Sequence, residues 1–345
     1  MRTLSMVAAA WLALLSLTAC DNTATQNSAG EVNLYSSRHY DTDLALYDDF
    51  TRDTGIQVNR IEAGADELIA RIQSEGESSP ADLLITVDAG RLWRAEQAGI
   101  FQAVDSVVLT ERLPDNMRHP EGLWIGLSKR ARVIVYNREA GLPTPLADYT
   151  DLADPTHAGK VCIRSSSNIY NVSLMASIVA HLGEAAAELW AEGVVRNFAR
   201  TPQSNDTGQI RAVASGECQI AVVNTYYLAR LAASDDPADL AVAEAVGIVF
   251  PGQQGSGTHV NISGAGVVST SPNRDNAIRF LEYLTSDRAQ SLFADGNNEY
   301  PAVPSVGASS KVVALGEFKE DGLNAAELGV HQSTAIMVFD RAGWQ

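Results

Sequence analysis

A regular alternation of strand-like and helix-like segments, starting at residue 31, constrains the fold most. Residues 32–35 read as a strand. Asp41 or Thr42 can cap a helix running to Phe50, and Gly55 supplies its stop. Residues 56–61 form the next strand, and residues 65–75 carry Leu68, Ile69 and Ile72 at helical spacing. Ser79-Pro80 breaks the chain before a third strand at 82–86, and residues 91–98 read as a helix ending at Gly99. This rhythm predicts a mostly parallel sheet covered by helices.

A second α/β unit begins near Ser128. Strands are expected at 133–136, 161–164 and 220–223, with a helix-rich stretch at 173–198. Residues 251–258 are Gly-rich but lack a following Lys-Ser/Thr, which excludes a phosphate loop. Ala277, Phe280, Leu281 and Leu284 mark a strong helix, and residues 325–342 a terminal one. At 345 residues the chain is long enough for two domains.

Charge and cysteine usage narrow the setting. The balance of 25 basic to 42 acidic side chains, a net charge of −17, argues against nucleic acid as a partner. Arg2, followed by an apolar run from Met6 to Leu17, reads as an export leader too short to span a bilayer as a stable helix. The leader ends in Leu17-Thr-Ala-Cys20, which looks like a bacterial lipobox. Residues 1–19 are then a lipoprotein signal peptide, and Cys20 is the lipidated N-terminus of a flexible tether over 20–30. Several acyl chains on one cysteine anchor stably, at roughly 0.8 kcal/mol per buried methylene. Asp21 resembles the signal that retains lipoproteins at the inner membrane. The remaining cysteines, Cys162 and Cys218, lie in strand-like segments of the same half. In an oxidising compartment they can pair as a disulfide.

Chemistry concentrates in tyrosines. Tyr226 and Tyr227 are adjacent in Val223-Asn-Thr-Tyr-Tyr-Leu-Ala-Arg230. Tyr40 and Tyr170 likewise follow strand-like runs at the start of helices. Phenolate oxygen is a hard ligand suited to a hard, highly charged cation, and ferric iron is the common biological ion that fits. Helix N-termini favour the deprotonated phenol, and ligands of open α/β sheets bind beyond the carboxyl ends of strands, where these turns lie. His39 can add a nitrogen. Four phenolates on Fe³⁺ leave one net negative charge, for which Arg38, Lys129 and Arg130 are candidate neighbours. His-Glu-x-x-His, EF-hand and Gly-x-Ser-x-Gly patterns are absent, and no general base can be named. Two other readings stay open. One is a pocket of the same fold for an organic or oxyanion solute such as a polyamine, thiamine or phosphonate. The other is a metal-dependent hydrolase.

Several motifs, taken together, resemble one family. They are Leu34-Tyr-Ser-Ser-Arg-His-Tyr40, Ser79-Pro-Ala-Asp82, Arg164-Ser-Ser-Ser-Asn168, Asn205-Asp-Thr207, Asn224-Thr-Tyr-Tyr227, Gly257-Thr-His-Val-Asn261 and Asn298-Glu-Tyr-Pro301. The chain is similar to the ferric-iron-binding proteins of bacterial ABC importers, in their tyrosine-rich, cyanobacterial Fut-type branch. The resemblance implies a type II periplasmic-binding-protein fold, with two α/β lobes joined by a two-segment hinge that closes over the ligand. It implies a first lobe of 31–128 plus 261–303, a second of 129–260 plus 304–345, and crossings near 127–132 and 257–262. The implied ligands are Tyr40, Tyr170, Tyr226 and Tyr227, with His39 as a fifth. The best-known pathogen branch takes a glutamate ligand from a Thr-Glu-Gln sequence, where this chain has Thr86-Val-Asp88. That branch also binds phosphate or carbonate. Four phenolates make a synergistic anion unnecessary here, although Arg130 can still recruit one. The resemblance therefore implies a monomeric, non-enzymatic periplasmic Fe³⁺ carrier. It is held to the inner membrane only by its lipid anchor, and it serves an ABC permease and its ATPase.

Overall fold

The computed structural model describes residues 30–203 and 205–345. The leader, Cys20 and all but the last residue of the tether lie outside the described residues. Among the described residues there are nine strands: β1 (Glu31–Ser36), β2 (Gln57–Glu62), β3 (Leu83–Val87), β4 (Ile125–Asn137), β5 (Val161–Cys162), β6 (Ile220–Asn224), β7 (Val246–Val249), β8 (Val260–Val267) and β9 (Tyr300–Pro301). Their order is β2-β1-β3-β8-β4-β6-β5, with β7 and β9 also paired to β4.

The expected parallel pairs form where βαβ units exist, namely β1 with β2, β1 with β3 and β5 with β6. The pairings of β4 and β8 are antiparallel. The sheet is therefore mixed, because these two strands return from one half of the molecule to the other and are not followed by crossover helices. β4 pairs with β8 from Ile125 to Ala131, then with β6 from Arg132 to Tyr136. One 13-residue strand thus belongs to both half-sheets.

Period-two alternation loads both faces of each half-sheet with apolar side chains, as helix-covered sheets require. Leu34, Leu83 and Ile85 pack with Phe50, Leu127 and Phe280 on one face, while Tyr35 and Leu84 join Leu68, Leu92 and Trp124 on the other. In the second half Ile134 and Val222 pack with Met175, Trp190 and Phe339. Val133, Val135 and Val223 face Ile210 and Leu228. Cys162 and Cys218 form a disulfide, with Cα atoms 5.8 Å apart.

Two expected long helices are each divided. Gly183, at φ 80°, separates Ile169–Leu182 from Glu184–Arg196, a backbone geometry that glycine adopts without a Cβ clash. The terminal helix splits at His331 into Ala325–Val330 and Gln332–Ala342. Ala325 and Leu328 pack in the first lobe's core, whereas Ala335, Val338 and Phe339 pack in the second's, so the break lets the chain tail brace both. No helix among the described residues is long and apolar enough to cross a membrane.

Candidate metal centre

The segments after β1, β5 and β6 carry the four tyrosines. Tyr40 precedes a single 3₁₀ turn at Asp41–Asp43. Tyr170 lies in the first turn of Ile169–Leu182, where the Asn168 side chain accepts from the Tyr170 N–H at 3.1 Å. Tyr226 and Tyr227 open Thr225–Ala232 directly after β6. These positions put the four phenols at or just before the starts of helical turns.

The phenols converge. Tyr226 Oη donates to Tyr170 Oη at 3.4 Å, and the rings of Tyr226 and Tyr227 are 4.2 Å apart. Arg230 ties in the fourth: its guanidinium carbon lies 5.5 Å from the Tyr40 ring and 5.1 Å from the Tyr226 ring. One cation at the mouth therefore touches an aromatic ring from each lobe.

Electrostatics keep Tyr40, Tyr226 and Tyr227 protonated in the absence of a cation. Burial pushes the Tyr226 phenol well above its usual range, and repulsion from Tyr170, Tyr227 and Tyr40 adds to this. Tyr40 is raised by burial and by Glu299, against the lowering effect of Arg38 and Arg230. Burial also raises Tyr227, although its hydrogen bond with Tyr226 and the charge of Arg164 oppose the shift. Such a site resists one isolated negative charge and welcomes a cation that several phenolates can share.

Arginines surround it. Arg38 donates through Nε to Asp43 at 2.8 Å and through Nη1 to Ser263 at 2.7 Å and Glu299 at 3.1 Å, with its guanidinium 4.9 Å from the Tyr40 ring. Glu299 also lies 3.8 Å from Arg130, whose guanidinium stands 5.6 Å from the Tyr170 ring. Arg130 Nε and Nη2 are buried with no hydrogen-bond partner among the described residues. Arg164 approaches Tyr170 from another side at 5.4 Å.

Two of the expected site residues stand apart from this group. Lys129 alternates with Arg130 along β4, so its side chain leaves the opposite face and pairs with Glu320 at 2.7 Å. His39 is 57% exposed, with Nδ1 3.8 Å from Glu62. Conversely, Arg230 was not singled out from the sequence, and Arg164, Asp206 and Glu299 figured there only within motifs, without a role at the site. Arg230 follows Tyr226 by four residues, the spacing that places two side chains on one helix face, and that signal could have found it. No group of three or more His, Cys, Asp or Glu side chains able to hold a metal occurs among the described residues.

Residues 78–319 match the family described as bacterial extracellular solute-binding protein. The chain belongs to this family. Among its solute-binding relatives is the iron uptake protein A1 of Synechocystis sp., 53% identical over 321 residues that cover 93% of this chain and 89% of the relative. Iron uptake protein A2 of the same organism is 54% identical, covering 91% of this chain and 90% of its own length. The solved structure of Trichodesmium FutA (IdiA), in complex with iron and citrate, superposes with a TM-score of 0.89 at 56% identity, over 92% of this chain and all of that one. The solute-binding fold here is accordingly the two-lobed type II architecture, with β4 and β8 running between the lobes.

Asp206 underpins the second lobe's share of the site. Fully buried, it accepts from the Asn224 N–H at 2.8 Å and faces Arg132 at 3.3 Å and Arg164 at 3.5 Å. It therefore fixes both the start of the Tyr226 helix and the cation beside Tyr170. Asp206→Ala leaves two guanidiniums without their carboxylate. The expected loss is about 3–5 kcal/mol of apo-protein stability in urea unfolding. A change under about 1 kcal/mol, as for an exposed pair, contradicts the role.

Proposed function

We propose that this protein captures ferric iron outside the cytoplasmic membrane and delivers it to an ABC permease and its ATPase. It acts as a monomeric carrier, not an enzyme. The observation that carries this reading is the cluster of Tyr40, Tyr170, Tyr226 and Tyr227, drawn from both lobes, with arginines behind it and with the phenol pKa values of Tyr40, Tyr226 and Tyr227 raised. The likeness to the iron uptake proteins of Synechocystis and to the iron- and citrate-bound Trichodesmium structure supports it. Iron displaces the phenolic protons and the phenolates neutralise the trivalent charge. Because the ligands come from opposite lobes, binding favours closure. Arg38, Arg130, Arg164 and Arg230 compensate the negative charge left over. In this conformation His39 faces Glu62, so the proposal rests on the phenols. The same holds for an anion: none is required, and Arg130's free Nε and Nη2 are the donors one would meet. Export and lipidation at Cys20 place the carrier in the periplasm, tethered to the inner membrane.

Ferric citrate added to the pure protein is expected to produce a visible phenolate-to-iron charge-transfer band, and Tyr226→Phe to weaken and shift it. A colourless mixture, or an unchanged band in the variant, contradicts the reading. A protein-stability readout accompanies this, since a ligand of the folded state raises its melting temperature.

The pH dependence has a definite sign. The apo phenols of Tyr40, Tyr226 and Tyr227 keep their protons to above the ordinary tyrosine value, whereas iron-bound phenolates do not, so binding releases protons. Affinity therefore falls as pH falls, by about one decade per pH unit for each proton released. Competition titrations against citrate between neutral and mildly acid pH, corrected for citrate's own protonation, should show this slope. A pH-independent affinity contradicts phenolate ligation.

A further inference from the structure

Asp88 stands between β3 and the helix Ala89–Gln97 at φ 84°, a region that residues with side chains rarely occupy. It is one of two non-glycine residues with positive φ among the described residues. Strained backbone persists where surroundings over-determine it, and such positions cluster at functional sites. The surroundings here are specific. Asp88 Oδ1 accepts from the Gly90 N–H at 2.9 Å and from Ser173 Oγ at 2.6 Å. Its Oδ2 accepts from Asn261 Nδ2 at 2.9 Å, and its own N–H donates to the Ile262 carbonyl at 2.8 Å. Asn261 Oδ1 in turn accepts from the N–H groups of Ala89 and Ile262.

These bonds link three parts of the machine. Asn261 and Ile262 lie on β8, at the crossing between the lobes. Asp88 lies in the first lobe. Ser173 belongs to the second-lobe helix Ile169–Leu182, three residues after Tyr170 and hence on a neighbouring face of the same turn. Asp88 and Ser173 are completely buried and Asn261 nearly so. A single short hydrogen bond beside a hinge lets one body swivel against the other while preventing it from sliding.

We infer that Asp88 is a positioning residue for metal capture, a buried pivot pin that acts through Ser173 to hold the Tyr170 helix in register with the first lobe. This rests on the reading of Tyr170 as a ligand. The pin reduces the conformational search needed to bring Tyr170 to an ion already touched by Tyr40, the advantage that preorganisation gives any binding site.

A double-mutant cycle in the full chain tests it. Ser173→Ala, Tyr170→Phe and the double variant are loaded with ferric citrate, and iron release to excess EDTA is followed at the charge-transfer band. Apo melting temperatures serve as the folding control. Ser173→Ala is expected to speed release about tenfold, the worth of a hydrogen bond to a buried charge, and to have no further effect once Tyr170 is Phe. Asp88→Asn, which turns a donor toward Asn261 but keeps an amide oxygen toward Ser173, is expected to speed release by less than Ser173→Ala and likewise only while Tyr170 is present. Unchanged release in Ser173→Ala, beside an altered Tyr170→Phe, overturns the pin and leaves the ligand reading intact. An equal acceleration in both backgrounds also overturns it, because the effect then does not pass through Tyr170. If Tyr170→Phe itself changes neither band nor release, the ligand reading of Tyr170 fails and the pin falls with it.

Discussion

The cleft disfavours a lone phenolate from two directions. Burial removes its water, and each neighbouring phenol that ionises adds repulsion. The hydroxyls of Tyr40, Tyr226 and Tyr227 remain neutral there until a cation arrives whose charge outweighs both effects. The same arrangement makes the site selective by charge density, since a weakly charged ion gains less from several hard oxygens than it must overcome in desolvating them. The rest of the structure serves to hold these groups on two bodies that meet at one place.

The scaffold does this with two strands. β4 and β8 run between half-sheets, so the lobes share backbone hydrogen bonds at the hinge instead of a loose linker. Buried ionic groups sit alongside: Arg38 with Asp43 and Glu299 next to Tyr40, and Arg132 and Arg164 with Asp206 behind Tyr170 and Tyr226. Buried ion pairs add little net stability against apolar replacements of the same shape. Their use here is geometric and electrostatic. Each carboxylate fixes an arginine beside a phenol, and the arginine offsets part of the cost of ionising it.

The sequence made the tyrosine positions legible because strand, cap and helix start are local events. Tyr170 and Tyr226 emerge from short-range patterns, and the structure finds them in the first turns of helices. The strand–helix alternation over 31–99 was equally readable. Less visible was anything depending on long-range pairing. Antiparallel β8 reads simply as an apolar run, and only its partners β3 and β4 give it direction. Gly183 looked compatible with a continuous helix until packing required a turn. Lys129 and Arg130 appeared equivalent on charge alone, yet the strand's alternation sends them to opposite faces. Glu299 lies 261 residues from the Arg38 it binds, a distance over which no local pattern carries information.

The most direct measurement is an iron-edge anomalous difference map from crystals of the protein loaded with ferric citrate. The account predicts a single peak bonded to the phenolic oxygens of Tyr40, Tyr170, Tyr226 and Tyr227, with the lobes closed upon it. An iron peak that excludes Tyr40, so that one lobe alone holds the ion, or a peak outside the cleft, would contradict it.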